Sequence, residues 1–439
     1  ALRKNININD FLNVDDNINT IKVSMNKIKE NLNGVESVLD EAVHGHKNAK
    51  KQIERIVGQW ISGKNSGYCF GFEGPPGLGK TSLAKRGISN CLKDEDGNSR
   101  PFSFIAVGGS SNGSVLDGHS YTYVGSTWGK IVDILINTKC MNPIIFIDEL
   151  DKISKTEHGK EIIGILTHLV DATQNDCFQD KYFSGIPLDL SKVLFIFSYN
   201  DASLVDPILL DRIHRIKFDP LTIYEKVTIC KKYILPEMTK EINLYEKIKI
   251  TDKEIIFIID NYTYERGVRK LKEVFFEIIN EINLMILKSD DDLILPYELT
   301  IGKIENVFLK DKNKISHIKI PRLDSVGIVN GLWANSYGKG GIIPIESKLY
   351  PTKNRFELKL TGKQGDVMKE SMIVARTLAW NYMKNNNIDI EKIKTGIHVH
   401  CPEGAVPKDG PSAGLAITLS LLSLLLNRKV RRNIGITGE

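Results

Sequence analysis

The sequence predicts a parallel α/β domain, then a small all-helical domain, then a separate α+β domain. Three observations predict it. Short, nearly uninterrupted apolar runs, in YCFGF, NPIIFIDEL and KVLFIFSYN, alternate with stretches of helical periodicity. Strands buried on both faces of a parallel sheet read that way. Beyond about Pro220 those runs stop, and IYEKVTICKKYILPEM, DKEIIFIIDNY and VRKLKEVFFEIINEINLMIL carry only three- and four-residue apolar spacing. From Gly327 strand-like text returns in GIIPIESKLY, RFELKLTG and IHVHCPEG, with one helix between and one after.

Taken in order, the polar, irregular start ALRKNININDFLN and the helical spacing from Val23 to Gly45 place a helical remnant or linker over residues 1–40. The α/β domain is expected over 41–220. It opens with a helix in KNAKKQIERIVGQWISG and passes through strand, Gly/Pro-rich loop and helix in YCFGFEGPPGLGKTSLAKRGI. The helical domain covers 221–312. A polar stretch, KDKNKISHIKIPRLDS, supplies a linker over 313–324, and the α+β domain fills 325–439. The apolar run LAITLSLLSLLL is about a dozen residues, too short to cross a bilayer, and reads as a buried helix.

Bulk composition narrows the function classes. A chain of 439 residues calls for several domains. Its 59 basic and 54 acidic residues leave a net charge of +5, too even to argue for nucleic acid as the main partner. Six cysteines lie far apart with no C-x-x-C pair, which suggests neither zinc nor a disulfide framework and fits a reducing compartment. With no visible secretory signal and no membrane span, the expectation is a soluble, intracellular protein without a membrane partner.

GPPGLGKT, Gly74 to Thr81, matches G-x-x-x-x-G-K-[ST] between a strand and a helix. The loop Gly74, Pro75, Pro76, Gly77, Leu78 and Gly79 would wrap phosphates, with backbone N–H groups from all but the two prolines, and the following helix, with Ser82 in its first turn, offers its positive end. Lys80 would neutralise the outer phosphates, and the Thr81 hydroxyl would ligate Mg²⁺. In IIFIDEL a buried strand ends in Asp148 and Glu149: Asp148 suits the Mg²⁺ shell, and Glu149 suits polarising the attacking water. Asn200, ending KVLFIFSYN, could hold that water near the terminal phosphate. Arg212 in LLDRIHRI and Arg269 in RGVRKL are candidate charge stabilisers.

Ser412 sits in G-P-S-A-G at the mouth of the apolar helix. Small neighbours let a substrate backbone approach, and helix N–H groups could face an oxyanion. A serine hydroxyl also needs a base. His398 and His400 alternate along one strand face and read as hydrogen-bonded strand histidines. Lys408 reads as an exposed loop charge. The residues alone therefore name no base.

The ordered set GPPGLGKTS, IIFIDELDKIS, FSYN, LLDR and GVRKL resembles the AAA+ ATPases. Joined to HVHCPEGAVPKDGPSAG, it resembles the Lon ATP-dependent proteases from about Leu39 to Glu439. The resemblance implies an AAA+ P-loop domain of α/β class with an all-helical lid, followed by an α+β Lon-type protease domain, incomplete at its C-terminus. It implies ATP and Mg²⁺ as cofactors, a ring-shaped homo-oligomer, hexameric in the family, and unfolded or damaged proteins as substrates. DNA binding, known among such proteins, finds no support in the charge pattern. Cytoplasm, or an organelle interior such as the mitochondrial matrix, is the implied compartment. Asn200 becomes a first sensor, Arg269 a second, and Arg212 the finger reaching the neighbouring subunit's nucleotide. In YTYVGSTWGK, Tyr123 and Val124 correspond to a substrate-gripping pore loop. The segment Lys339 to Tyr350 resembles strands lining the proteolytic chamber.

For Ser412 the resemblance implies a Ser-Lys dyad whose lysine lies roughly forty residues after the serine, past Glu439. Thr437 corresponds to a residue that helps hold that lysine, and Asp409 to one that lies across the site in resting forms. A chain cut at both ends is the expectation. The rival expectation is a AAA+ unfoldase or remodeller with an inactive protease remnant.

Overall fold

The computed structural model describes residues 29, 34–61, 69–93, 97–109, 112–288, 295–315, 320–334, 340–354, 356–362, 365–388, 395–402 and 410–439. The chain divides into two compact units between Asn313 and Lys314. Most of residues 1–33, together with Lys339, Lys408 and Asp409, lie outside the described residues.

The first unit is built on a five-stranded parallel sheet: β1 (Cys69–Glu73), β2 (Phe102–Ala106), β3 (Ile144–Asp148), β4 (Leu194–Tyr199) and β5 (His214–Lys217), in the order β2–β3–β4–β1–β5. Alternate side chains serve opposite faces. Ile145, Ile147, Phe195 and Phe197 pack with Ile134 of helix Lys130–Thr138 and Leu166 of helix Glu157–Val170. Ile144, Phe146, Leu194 and Ile196 pack with Ile53 of helix Lys47–Ile61 and with Leu83 and Ile88 behind the loop. Both faces are covered, so the central strands are largely apolar until their carboxyl ends, where Glu73, Asp148 and Ser198 stand. Each such fully buried side chain contributes about 1.5–3 kcal/mol.

Downstream in the same unit, helices Ile223–Ile229, Leu235–Glu241, Asp252–Asn261 and Arg269–Lys288 enclose a core of their own around Ile255, Ile258, Phe275 and Ile278. Thr222 with Glu225, and Thr251 with Glu254, close capping boxes at two helix starts. One correction applies to the all-helical expectation. The two-residue strands β6 (Ile248–Lys249) and β7 (Tyr297–Glu298) pair in parallel, fastening the chain before helix Asp252–Asn261 to the chain after helix Arg269–Lys288. Two residues are too short for a period-two pattern to register.

The second unit holds a mixed sheet of β8 (Ile328–Ala334), β9 (Gly340–Pro351), β10 (Leu358–Thr361), β11 (Thr395–His400) and β12 (Gly435–Ile436), ordered β10–β11–β9–β8–β12. Helix Asp366–Asn385 runs between β10 and β11, and helix Gly414–Leu425 follows. Both pack on the sheet through Met372, Ala375, Ile417 and Leu421 against Ile345, Ile397 and Val399. Among the described residues, no helix is long and apolar enough to cross a membrane.

Candidate functional site

Strand order sets the carboxyl ends of β3, β4 and β1 side by side, the usual ligand crevice of an open parallel sheet. The loop Gly74–Thr81 leaves β1 there. Gly77 takes φ +78°, and a Cβ on it would sit 3.1 Å from both Cβ and the backbone nitrogen of Arg269. A bare backbone lets the loop touch the start of helix Arg269–Lys288, and Val268 N–H donates to the Gly77 carbonyl at 3.1 Å. Leu78 turns its side chain into the core, so it offers this loop only backbone; Thr81 and Ser82 face solvent.

Lys80 opens the following helix and is buried. Its ammonium donates to the carbonyls of Gly74 and Tyr199 (3.1 Å for the latter) and to Oδ1 of Asn200 (3.3 Å). Burial lowers its pKa from 10.5 to about 8, against the pull of Asp148 and Asp151. Keeping it charged at neutral pH therefore costs about 3 kcal/mol. An anion brought to this place would relieve that cost.

Asp148 ends β3, and its Oδ1 accepts the Glu149 N–H at 2.9 Å. Glu149 adopts φ 62°, ψ 39°, a left-handed conformation that costs a non-glycine residue about 1–3 kcal/mol and clusters at functional positions. Its carboxylate lies over Gly108, where any Cβ would collide with it, and pairs with the ammonium of Lys152. That hydrogen bond raises the Lys152 pKa. Asn200 follows β4, its own N–H held by Asp151 Oδ2 at 3.1 Å.

Arg212 takes other partners. Its Nε donates to Asp171 at 3.3 Å and a terminal nitrogen to the Ile208 carbonyl at 3.1 Å. Tyr123 and Val124 stand at a turn with 69% and 108% relative exposure, which rules out core packing for Tyr123.

In the second unit Ser412 is exposed in the short turn Pro411–Ala413 before helix Gly414–Leu425. Its carbonyl accepts the Gly438 N–H at 2.7 Å and the Thr437 hydroxyl at 3.4 Å, and Leu415 N–H donates back to Gly438 at 2.9 Å. The serine turn and the GITGE segment are thus stitched together. His398 and His400 both hydrogen-bond the Thr361 hydroxyl, at 2.9 and 2.7 Å. Burial lowers the His398 pKa.

Residues 302–439 match the Lon protease (S16) C-terminal proteolytic domain, and residues 70–221 match the ATPase family associated with various cellular activities (AAA). A Lon protease homolog of Acanthamoeba polyphaga mimivirus is 37% identical over 492 residues, covering 98% of this chain and 47% of that protein. The Lon protease of Clostridium acetobutylicum is 36% identical, over 94% and 52%. The mitochondrial Lon protease homolog of Drosophila melanogaster is 34% identical, over 96% and 40%. The chain belongs to the Lon protease family. It spans about half the length of the curated relatives it matches.

In this Lon-family chain, then, the fold brings Lys80, Asn200 and the loop together and sets Arg269 against the loop, with Asp148 and Glu149 on the neighbouring strand end. Arg212 is left outside that group. Sequence reasoning missed Asp151, whose signal was the third carboxylate in IDELD. It also missed a cavity of about 760 Å³ lined by Asp40, His44, His46, Lys50, Glu225 and Tyr233. His46 Nε2 meets the Leu78 carbonyl of the phosphate loop at 3.1 Å, and its ring packs on Phe218. Burial lowers the His46 pKa, while the Leu78 carbonyl and Glu225 raise it and Lys50 lowers it. No motif announces this cavity, because its walls come from residues 40–50 and 217–233.

Proposed function

We propose that the protein is an ATP-dependent serine endopeptidase, a ring-shaped and hexameric homo-oligomer that unfolds, translocates and degrades unfolded or damaged proteins inside the cell. Its compartment would be the cytoplasm or an organelle interior such as the mitochondrial matrix. The observation that carries this is a buried Lys80 whose hydrogen-bond partners, among the described residues, are carbonyl and amide oxygens, in a crevice that also gathers Asn200, Asp148 and Arg269. A scaffold protein has no use for a charge buried in that way.

The Thr81 hydroxyl and the Asp148 carboxylate are hard oxygen donors, which suit Mg²⁺. With ATP bound, the ion would neutralise charge on the phosphates. Lys80 moves from its carbonyls to the phosphate oxygens, and Arg269 adds positive charge from the helix that abuts the loop. Glu149, released from Lys152, takes the proton of the attacking water, which Asn200 orients. Arg212 supplies the finger to the neighbouring subunit's nucleotide. Tyr123 and Val124 grip the extended polypeptide, and Ser412 is the nucleophile of the peptidase, with a lysine base from residues beyond those given. The test is ATP hydrolysis by the purified oligomer with magnesium and a denatured polypeptide. Wild-type protein is expected to hydrolyse ATP faster when polypeptide is added, and Lys80→Gln to fall by about 10³-fold or more. A monomer without triphosphatase activity overturns the proposal.

A further inference from the structure

The neck of the Tyr123 loop contains a carboxylate that the proposed mechanism leaves unused. Asp180 is completely buried. Its Oδ2 accepts the Gly129 N–H and its Oδ1 the Tyr182 N–H, both at 2.8 Å. A buried carboxylate is tolerated only where such bonds meet its charge. Gly118 and Gly129 bracket the loop. Gly118 takes φ +78°, and a Cβ on it would press on Asp180 Oδ1 at 2.7 Å and on the Gly129 nitrogen at 2.9 Å. The same carboxylate therefore grips one end of the Tyr123 loop and the start of a second loop, closed by the bridge between Phe178 and Leu188.

Above this clamp lies an aromatic brace. Trp128 stacks on Phe183 with ring centres 6.1 Å apart and meets Tyr182 edge-on at 5.9 Å. The next residue after Asp180 reaches the other way. Lys181 N–H donates to the Asp117 carbonyl at 2.7 Å, and its ammonium pairs with Asp117 at 3.0 Å and with Glu161 at 3.2 Å. Glu161 belongs to helix Glu157–Val170, which follows Glu149 and Lys152 in the chain.

We infer that Asp180 and Trp128 are positioning residues for polypeptide gripping: they lock the neck of the Tyr123 loop to the Tyr182–Phe183 loop, and through Lys181 and Glu161 to the helix that follows the water-polarising acid. This rests on the pore-loop assignment proposed above. A free hairpin would yield under load; a loop clamped at both ends to that helix transmits displacement from the nucleotide crevice.

The test uses the assembled full-length protein with magnesium, ATP and a denatured polypeptide, comparing basal and polypeptide-stimulated hydrolysis. Asp180→Asn and Trp128→Ala are expected to keep basal turnover while the polypeptide KM rises about tenfold, the scale of one lost charge-assisted hydrogen bond. Trp128→Phe, which preserves the stack, restores it. Trp128 is 42% exposed, so its two variants decide the matter even if Asp180→Asn fails to fold. Wild-type stimulation in Trp128→Ala, alongside its loss in Tyr123→Ala, overturns the clamp alone. Full stimulation in Tyr123→Ala overturns the pore-loop assignment and the clamp with it.

Discussion

The phosphate loop and the serine turn are both glycine-lined turns at the start of a helix, yet the fold treats them differently. Around the loop, residues distant in sequence converge: Lys80 on the carbonyl of Tyr199 and the amide of Asn200, Gly77 on Arg269, His46 on Leu78. Around Ser412, among the described residues, the contacts are the Thr437 hydroxyl and the Gly438 N–H, both on the serine's own carbonyl. His398 and His400, in the same unit, are turned to Thr361. The difference teaches that the first site gathers its charges from its own unit, whereas the second, among the described residues, is a serine turn held to the GITGE segment.

The largest expected effect breaks or sharpens that contrast directly. Ser412→Ala should lower peptide cleavage on the order of 10⁴–10⁶-fold and leave ATP hydrolysis intact, measured by paired release of labelled peptide and phosphate. Unchanged cleavage would mean that Ser412 is not the nucleophile. The next effect probes how complete the first site is. Arg212→Ala should lower ATP hydrolysis about 10³–10⁵-fold while nucleotide binding persists. Mixed rings of Arg212→Ala with Lys80→Gln subunits should regain activity, since each subunit then lacks what its neighbour provides. Failure to regain any would place Arg212 in its own subunit's site.

The smallest effect concerns the cavity edge. His46 has its pKa depressed by burial, so below pH 6.5 the unfolded chain binds more protons than the fold. Its contribution to stability is present above that pH and is lost as pH falls through the folded-state value. His46→Gln keeps a side-chain N–H for the Leu78 carbonyl but cannot titrate. Its melting temperature should fall less between pH 7.5 and 5.5 than that of the wild type, by scanning calorimetry. Equal slopes would remove His46 from the account.

Legibility followed burial. β1, β3 and β4 announced themselves as apolar runs because both faces are covered. β2 and β5 did not, since they are the sheet's edges and FSFIA and HRIK are largely half-buried or exposed. β5 nonetheless carries Arg215, whose guanidinium binds Glu73 at 3.0 and 2.7 Å beside the loop. That ion pair joins residues of two strands, and no short window of sequence contains both.

The sequence by itself determined the chemistry of the phosphate loop, the acidic strand end and the serine turn, because each depends on a few consecutive residues and the backbone shape they permit. Tertiary structure alone decided which of these meet. It set Lys80 on Asn200, put Arg269 rather than Arg212 against the loop, formed the cavity beside His46, and buried Asp180 between two loops. The physical reason is that such contacts arise from strand order and from packing between segments far apart in the chain, and local periodicity carries no record of either.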